Sequence, residues 1–270
     1  MTTLAAIAAA IALYLAASLF LIGQLIRQLQ RDNSWLLAFA ACAVAFHGIG
    51  IYGMIFTPEG FRFGFYTALA FIFLTVNTLV LISSLRKPLH NLFVFLFPLS
   101  GISLLCAATL PDAAAPMTHI GPDIALHILL SVLAYSLLTI AALQALLLAY
   151  QNRQLHHKKL TGVVRMLPPL QTMEQLMFEL LWTGVILLTA AIATGMFFLD
   201  DIFAQHLAHK TAFSLLAWVI YATLLWGRHK IGWRGNTAIR WTLGGFAALM
   251  LAYFGSKLVL ELILDVGPIG

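Results

Sequence analysis

The chain has 270 residues, of which 61% are hydrophobic and 9% charged, with a formal net charge of +5. Soluble domains carry about 25% charged residues, so this composition excludes a water-facing globular surface and requires a membrane. The basic excess sits in short loops between long apolar runs, which marks membrane topology and excludes nucleic acid as the partner. The runs are about 20 residues long and lack the alternation of barrel strands, so they read as helices.

The first apolar run covers 3–26. No basic residue precedes it, and Arg27 and Arg31 follow it. A secretory signal has the reverse charge order, so this reads as a retained helix with its N-terminus outside. Further runs cover about 34–55, 64–85, 91–110, 124–150, 174–199, 207–227 and 238–264. The expected fold is therefore all-α: a polytopic membrane protein, one undivided transmembrane domain over 1–270. Eight helices put both termini on the outer side of the membrane.

The charges agree with that count. Arg27, Arg31, Arg86, Lys87, Arg153, Lys158, Lys159, Arg165, Arg228, Lys230, Arg234 and Arg240 fall in inner loops, and only Arg62, Lys210 and Lys257 fall outside. A wrong helix count in mid-chain would scramble this partition. The inner loop 151–173 contains Pro168–Pro169 and ends in TMEQ, where Thr172 can cap a helix and Gln175 can answer three positions on. The outer loop 111–123 carries three prolines. No internal repeat and no soluble domain is visible.

Cys42 and Cys106 lie inside predicted helices, without a CxxC or CxxCH pattern. That excludes a thioredoxin-like module and covalent haem attachment to this chain. A nucleophile–base pair, a phosphate-cradling glycine loop and paired catalytic carboxylates are also absent, so no enzymatic turnover is expected.

Two of the nine histidines stand out. His47 lies in AFHGIGIYG, well inside the second run, where an ionisable residue is a functional candidate by default. Gly48, Gly50 and Gly53 beside it leave room for a flat ligand or for a neighbouring helix. The bland alternative is a neutral histidine bonded to another helix. His127 opens the fifth run in GPDIALHILLSVLAYSLL, and Ser131 and Tyr135 follow at i+4 and i+8 on the same helix face. At helical rise His47 lies about 12 Å below the outer end of its span and His127 about 5 Å. Imidazoles on facing helices are a natural pair of haem ligands, and this pair is expected to bind iron if tilt closes the difference in depth.

Weaker candidates surround them. Lys257, with Glu261 one turn on, and Arg62 could meet haem propionates; pairing with nearby carboxylates and snorkelling are the plainer reading. Trp218 falls at mid-membrane and could pack on a porphyrin or simply on helices. Trp226, Trp233 and Trp241 fit an inner aromatic belt. His90, His156, His157 and His229 lie among basic residues at inner helix ends, and His119, His206 and His209 line the outer surface; interfacial exposure is the plain reading of all seven, while His206 and His209, at i and i+3, could also assist a cofactor or metal at the entrance to the seventh span.

The runs HILLSVLAYSLLTIAALQALLLAYQNRQL, LPPLQTMEQLMF, GVILLTAAIATGMFF, LLAWVIYATLLWGRHKIGWRG and LAYFGSK resemble the cytochrome c assembly protein family, the CcsA/HemX superfamily. The likeness extends from about Ala38 onward and is nearest to the YpjD-like inner-membrane branch. It implies eight helices, handling of a non-covalent b-type haem and association with other cytochrome c assembly proteins. By this likeness His47 matches a membrane histidine and His127 an external one. The departures are specific. The family's tryptophan-rich outer loop is replaced by LAHKTAFSLLAW, Trp226 stands at the second membrane histidine, and LAYFGSKLVLEL lacks the second external one. Haem binding or handling is the leading expectation. The alternatives are a membrane interaction or regulatory subunit that has lost haem handling, and a small-molecule transporter, which lacks paired intramembrane charges.

Overall fold

The computed structural model describes residues 2–27, 34–111, 121–156, 167–198 and 205–255. Apolar sequence and intramembrane hydrogen bonding together dictate helices, and the described chain is almost wholly helical. The helices are α1 (Thr2–Arg27), α2 (Ser34–Ile55), α3 (Phe65–Ser84), α4 (Phe93–Thr109, entered through a 3-10 turn at His90–Leu92), α5 (Pro122–His156), α6 (Leu170–Phe198), α7 (Gln205–Lys230) and α8 (Gly235–Met250). Among the described residues seven are long and apolar enough to cross a membrane, namely α1 to α7. The eighth has 16 residues of α-helix and runs into a π turn at Leu251–Gly255. The protein is therefore an all-α polytopic membrane protein. Leu19, Ile49, Ile102, Ile186 and Val219 are exposed, apolar side chains suited to lipid.

Contacts divide the chain into two compact units. The first comprises Met1–Ile120 and His157–Pro168, the second Gly121–His156 and Pro169–Gly270. In the first, α1 packs on α2, α2 on α3, α3 on α4, and α4 closes back onto α1. In the second, α5, α6, α7 and α8 follow the same cyclic order. Each unit is a four-helix bundle. The sequence carries no linker to announce the division.

Small residues set the close approaches. A Cβ on Gly50 would lie 2.7 Å from Ile7 Cγ1, and one on Gly53 would lie 2.6 Å from Thr3 Oγ1. The glycines after His47 are thus filled by α1, which leaves no slot for a flat ligand at those two positions. In the second unit, a Cβ on Gly184 would lie 2.8 Å from Leu138 Cδ2, and one on Gly245 would lie 2.8 Å from the Tyr221 ring.

Two local expectations are corrected. α5 continues to His156, past the expected end at 150; at 35 residues it is about 52 Å long, more than the bilayer core of about 30 Å. α6 starts at Leu170, directly after Pro168–Pro169, so Thr172 lies inside the helix rather than at its cap. Gln175 instead donates to Glu179 Oε1 at 3.2 Å. The structure also holds an element that the sequence did not reveal, a two-stranded hairpin (β1, Phe56–Thr57; β2, Gly60–Phe61) turning at Pro58–Glu59. Gly60 takes φ 129° there, which a side chain would oppose.

Candidate functional site

His47 is fully buried inside the first unit. Tyr14, on α1, places its hydroxyl 3.0 Å from His47 Nδ1, and the two rings meet edge to face at 5.8 Å. Tyr14 packs in turn against Phe97 of α4. The Ala70 backbone carbonyl of α3 also faces the imidazole, although Nε2 makes no hydrogen bond of good geometry. A phenol is the natural donor to an imidazole nitrogen. With Nδ1 accepting from Tyr14, the proton of a neutral ring belongs to Nε2. His47 is thereby held against α1 and α3.

Two turns along α3 from Ala70, Asn77 is also fully buried. Its Nδ2 donates to the Phe73 carbonyl at 2.7 Å and to Ser100 Oγ at 2.6 Å, and Ser100 Oγ donates to the Leu96 carbonyl. The core of the first unit therefore contains two polar pairs among packed apolar side chains, a common way to fix helix register in a membrane. Arg62 extends from β2 and pairs with Glu59 at 3.2 Å, close to its own hairpin.

In the second unit His127 is half-buried on the first turns of α5. Its Nδ1 lies 3.2 Å from Thr194 Oγ1 on α6, and the Ala191 backbone carbonyl also faces the ring. Gly195 permits this fit: a Cβ there would stand 3.0 Å from His127 Cε1. The side-chain contact of His127 with α6 is thus made through Nδ1.

Tyr135, two turns deeper on the same helix, is buried and donates to the Leu249 carbonyl of α8 at 3.2 Å. Its ring meets Tyr253 at 5.6 Å. Tyr221 of α7 is fully buried and its hydroxyl lacks a partner among the described residues. Trp218 donates through Nε1 to Thr189 Oγ1 of α6 at 2.8 Å. Lys257 lies outside the described residues, and so does Glu261.

At the opposite end of the second unit lies a charge cluster that the sequence did not single out. Glu174 is 4% exposed. Its Oε1 takes Arg228 Nη1 at 3.0 Å and Arg234 Nε at 3.3 Å, and its Oε2 accepts from the Gly235 backbone N–H at 3.4 Å. Arg228 also donates to the Trp233 carbonyl and stacks 4.6 Å above the Phe178 ring. Glu174 appeared only as a helix-start residue in TMEQ; the signal for its role was the facing arginines, which lie more than fifty residues away in the chain.

His47 and Arg62 thus belong to the first unit, and His127, Tyr135 and Trp218 to the second. Among the described residues no group of three His, Cys, Asp or Glu side chains could hold a metal ion by itself. Haem iron needs one or two axial donors, since the porphyrin supplies the rest. His127 fits that need, with a half-buried ring tied to α6 through Nδ1. His47 is enclosed, with Nδ1 engaged by the Tyr14 hydroxyl.

The comparisons with known proteins agree with this architecture. Residues 35–264 match the family model described as cytochrome C assembly protein. The chain is 32% identical over 240 residues to the inner membrane protein YpjD of Escherichia coli strain K12, covering 87% of this chain and 91% of that one. It is also 35% identical over 158 residues to an uncharacterized 28.8 kDa protein of Azospirillum brasilense, covering 57% of this chain and 58% of that one. No solved structure matches. Helices that span a membrane several times, in a chain this similar to an inner-membrane protein along most of both lengths, make it a multi-pass protein of the inner membrane and a member of the cytochrome c assembly protein family.

Proposed function

We propose that the protein binds and hands on haem in the inner membrane, in association with cytochrome c assembly, and that His127 is its iron ligand. The observation that carries this reading is the half-buried His127 imidazole near one end of the second bundle, with Nδ1 held by Thr194. Iron–imidazole bonding takes a neutral ring with one nitrogen fixed and the other offering its lone pair. Family membership supports haem as the cargo. The haem is non-covalent and b-type in this reading, and the chain holds, passes or senses it without turning over a substrate.

The reading differs from the two-imidazole ligation expected from sequence. We assign His47 to helix packing through Tyr14. The Tyr135 hydroxyl and the Trp218 indole N–H are already engaged within their own unit, and Arg62 pairs with Glu59 through Nη2, so these residues shape or border a site rather than ligate iron.

The experiment is an absorption spectrum of the detergent-purified protein from haem-replete cells. The expected result is a Soret band that His127→Ala removes and that His47→Phe leaves in place. A wild-type preparation with no Soret band and no uptake of added haem would overturn the proposal. The alternative is a regulatory membrane subunit that has lost haem handling. The sequence LAHKTAFSLLAW at the place of the family's tryptophan-rich loop favours it. A stable membrane partner whose co-purification survives His127→Ala, from a protein devoid of haem, would select it.

A further inference from the structure

We infer that Thr194 is a positioning residue that holds His127 in its Nδ1–H tautomer, so that Nε2 is the nitrogen presented to iron. The inference rests on the haem reading for its purpose, but not for its geometry. A hydroxyl has one proton. Thr194 Oγ1 lies 2.9 Å from the Ala190 carbonyl and 3.0 Å from the Ala191 carbonyl, both within its own helix. Threonine hydroxyls inside apolar helices donate to such carbonyls, because the freed backbone lone pairs there meet no water. The proton of Thr194 is therefore committed to α6, and what Oγ1 has left to offer His127 is a lone pair.

Nδ1 of His127, at 3.2 Å, must then be the donor. The Ala191 carbonyl faces the same ring, and a carbonyl too can only accept. Both α6 groups that meet the imidazole are acceptors, and the one located at Nδ1, Thr194 Oγ1, cannot satisfy an unprotonated Nδ1. A neutral imidazole has one N–H, so Nε2 carries the lone pair. Gly195 completes the arrangement by letting the ring lie against the α6 backbone. The motif is a hydroxyl that orients a ligand from behind, the role usually taken by a carboxylate or carbonyl. His47 shows the contrasting case, since its Nδ1 partner is a phenol with a proton to give.

The test reads the tautomer directly, in the full-length protein without haem. Histidine labelled with nitrogen-15 is incorporated, and the His127 signals are identified by their loss in His127→Gln. A protonated Nδ1 and an unprotonated Nε2 are expected at mildly alkaline pH. Thr194→Val, which keeps the shape and removes the hydroxyl, should shift population toward Nε2–H. Thr194→Ser should preserve the wild-type pattern. Wild-type protein with the proton on Nε2, or a Thr194→Val spectrum identical to wild type, would overturn the inference.

A haem titration on the same variants gives the second readout. Loss of an orienting partner weakens metal affinity by about 10- to 100-fold, and Thr194→Ser should recover it. Equal affinity in wild type and Thr194→Val would also count against a positioning role. If wild type takes up no haem, the functional proposal fails, while the nitrogen-15 spectra still decide the tautomer.

Discussion

Gly195 lies flat against the imidazole of His127, so that a Cβ added to the glycine would stand 3.0 Å from Cε1 and 3.4 Å from Nδ1. This contact makes the backbone of α6 part of the wall around the histidine. Gly195→Val should push the ring off Thr194 and lower haem occupancy at least about tenfold, the loss expected when an orienting contact is removed. Gly48→Ala is the matched control, because nothing lies within 4 Å of a Cβ at that position. The measurement is the ratio of Soret to protein absorbance in the two purified variants. Equal ratios would mean that the Gly195 contact has no bearing on haem.

Tyr14 and His47 give a prediction of opposite character. Tyr14→Phe deletes the donor to His47 Nδ1 but preserves the ring packing against Phe97. Hydrogen bonds between membrane helices are worth about 0.6–2 kcal/mol, and a buried nitrogen left unpaired adds to the loss. Unfolding stability should fall by about 1–2 kcal/mol, measured by denaturation in mixed micelles, while any Soret band stays unchanged. A lost Soret band with unchanged stability would return His47 to the list of iron ligands.

The contrast between these histidines explains what the sequence could and could not reveal. Helix positions were legible, because burying about 20 apolar residues dominates every other local preference. The expected runs 34–55 and 64–85 lie within a residue or so of α2 and α3. Which side of a glycine faces a helix was not legible. Gly50 and Gly53 read equally well as room for a ligand or as room for α1, and only the position of Ile7 and Thr3 decides. Partners such as Tyr14 for His47 and Thr194 for His127 lie 33 and 67 residues away in sequence, beyond any periodicity. The hairpin at Phe56–Phe61 was hidden because two-residue strands leave no alternation to count.

Glu174 carries a third prediction. Its carboxylate joins the start of α6 to Arg228 at the end of α7 and to Arg234 and Gly235 at the start of α8. Removing one member of a buried charge pair costs about 3–5 kcal/mol, mostly through the charge left behind. Here both arginines reach solvent, with side chains 31% and 59% exposed, so the cost should lie near or below about 3 kcal/mol. Glu174→Gln should lower the unfolding midpoint and loosen the Ile231–Arg234 loop, which proteolysis at Arg234 would detect. Haem occupancy should be unaffected, since the cluster sits at the other end of the unit from His127. Unchanged midpoint and cleavage rate would show that the charges are held by solvent rather than by each other.

The last prediction concerns orientation across the membrane. In the second unit Arg153, Arg228, Lys230 and Arg234 lie at one end, where Asn152 of α5 meets Asn236 of α8 at 2.9 Å. In the first unit Arg86 and Lys87 follow α3, while Arg62 and its hairpin lie at the other end. Translocating a lysine- or arginine-rich loop is disfavoured, so the arginine-rich ends should face the cytoplasm and the hairpin the periplasm. This can be read with single cysteines placed in a Cys42→Ala, Cys106→Ala background, since these are the chain's only native thiols. Glu59→Cys should react with a membrane-impermeant maleimide in intact spheroplasts. Lys87→Cys and Lys230→Cys should react only after the membrane is opened. The two lysine positions come from different bundles, so agreement between them tests the topology on both sides of the long connection. Labelling of Lys87→Cys but not Lys230→Cys in intact spheroplasts would require an odd number of crossings between them, and with it a helix count that the charge pattern cannot accommodate.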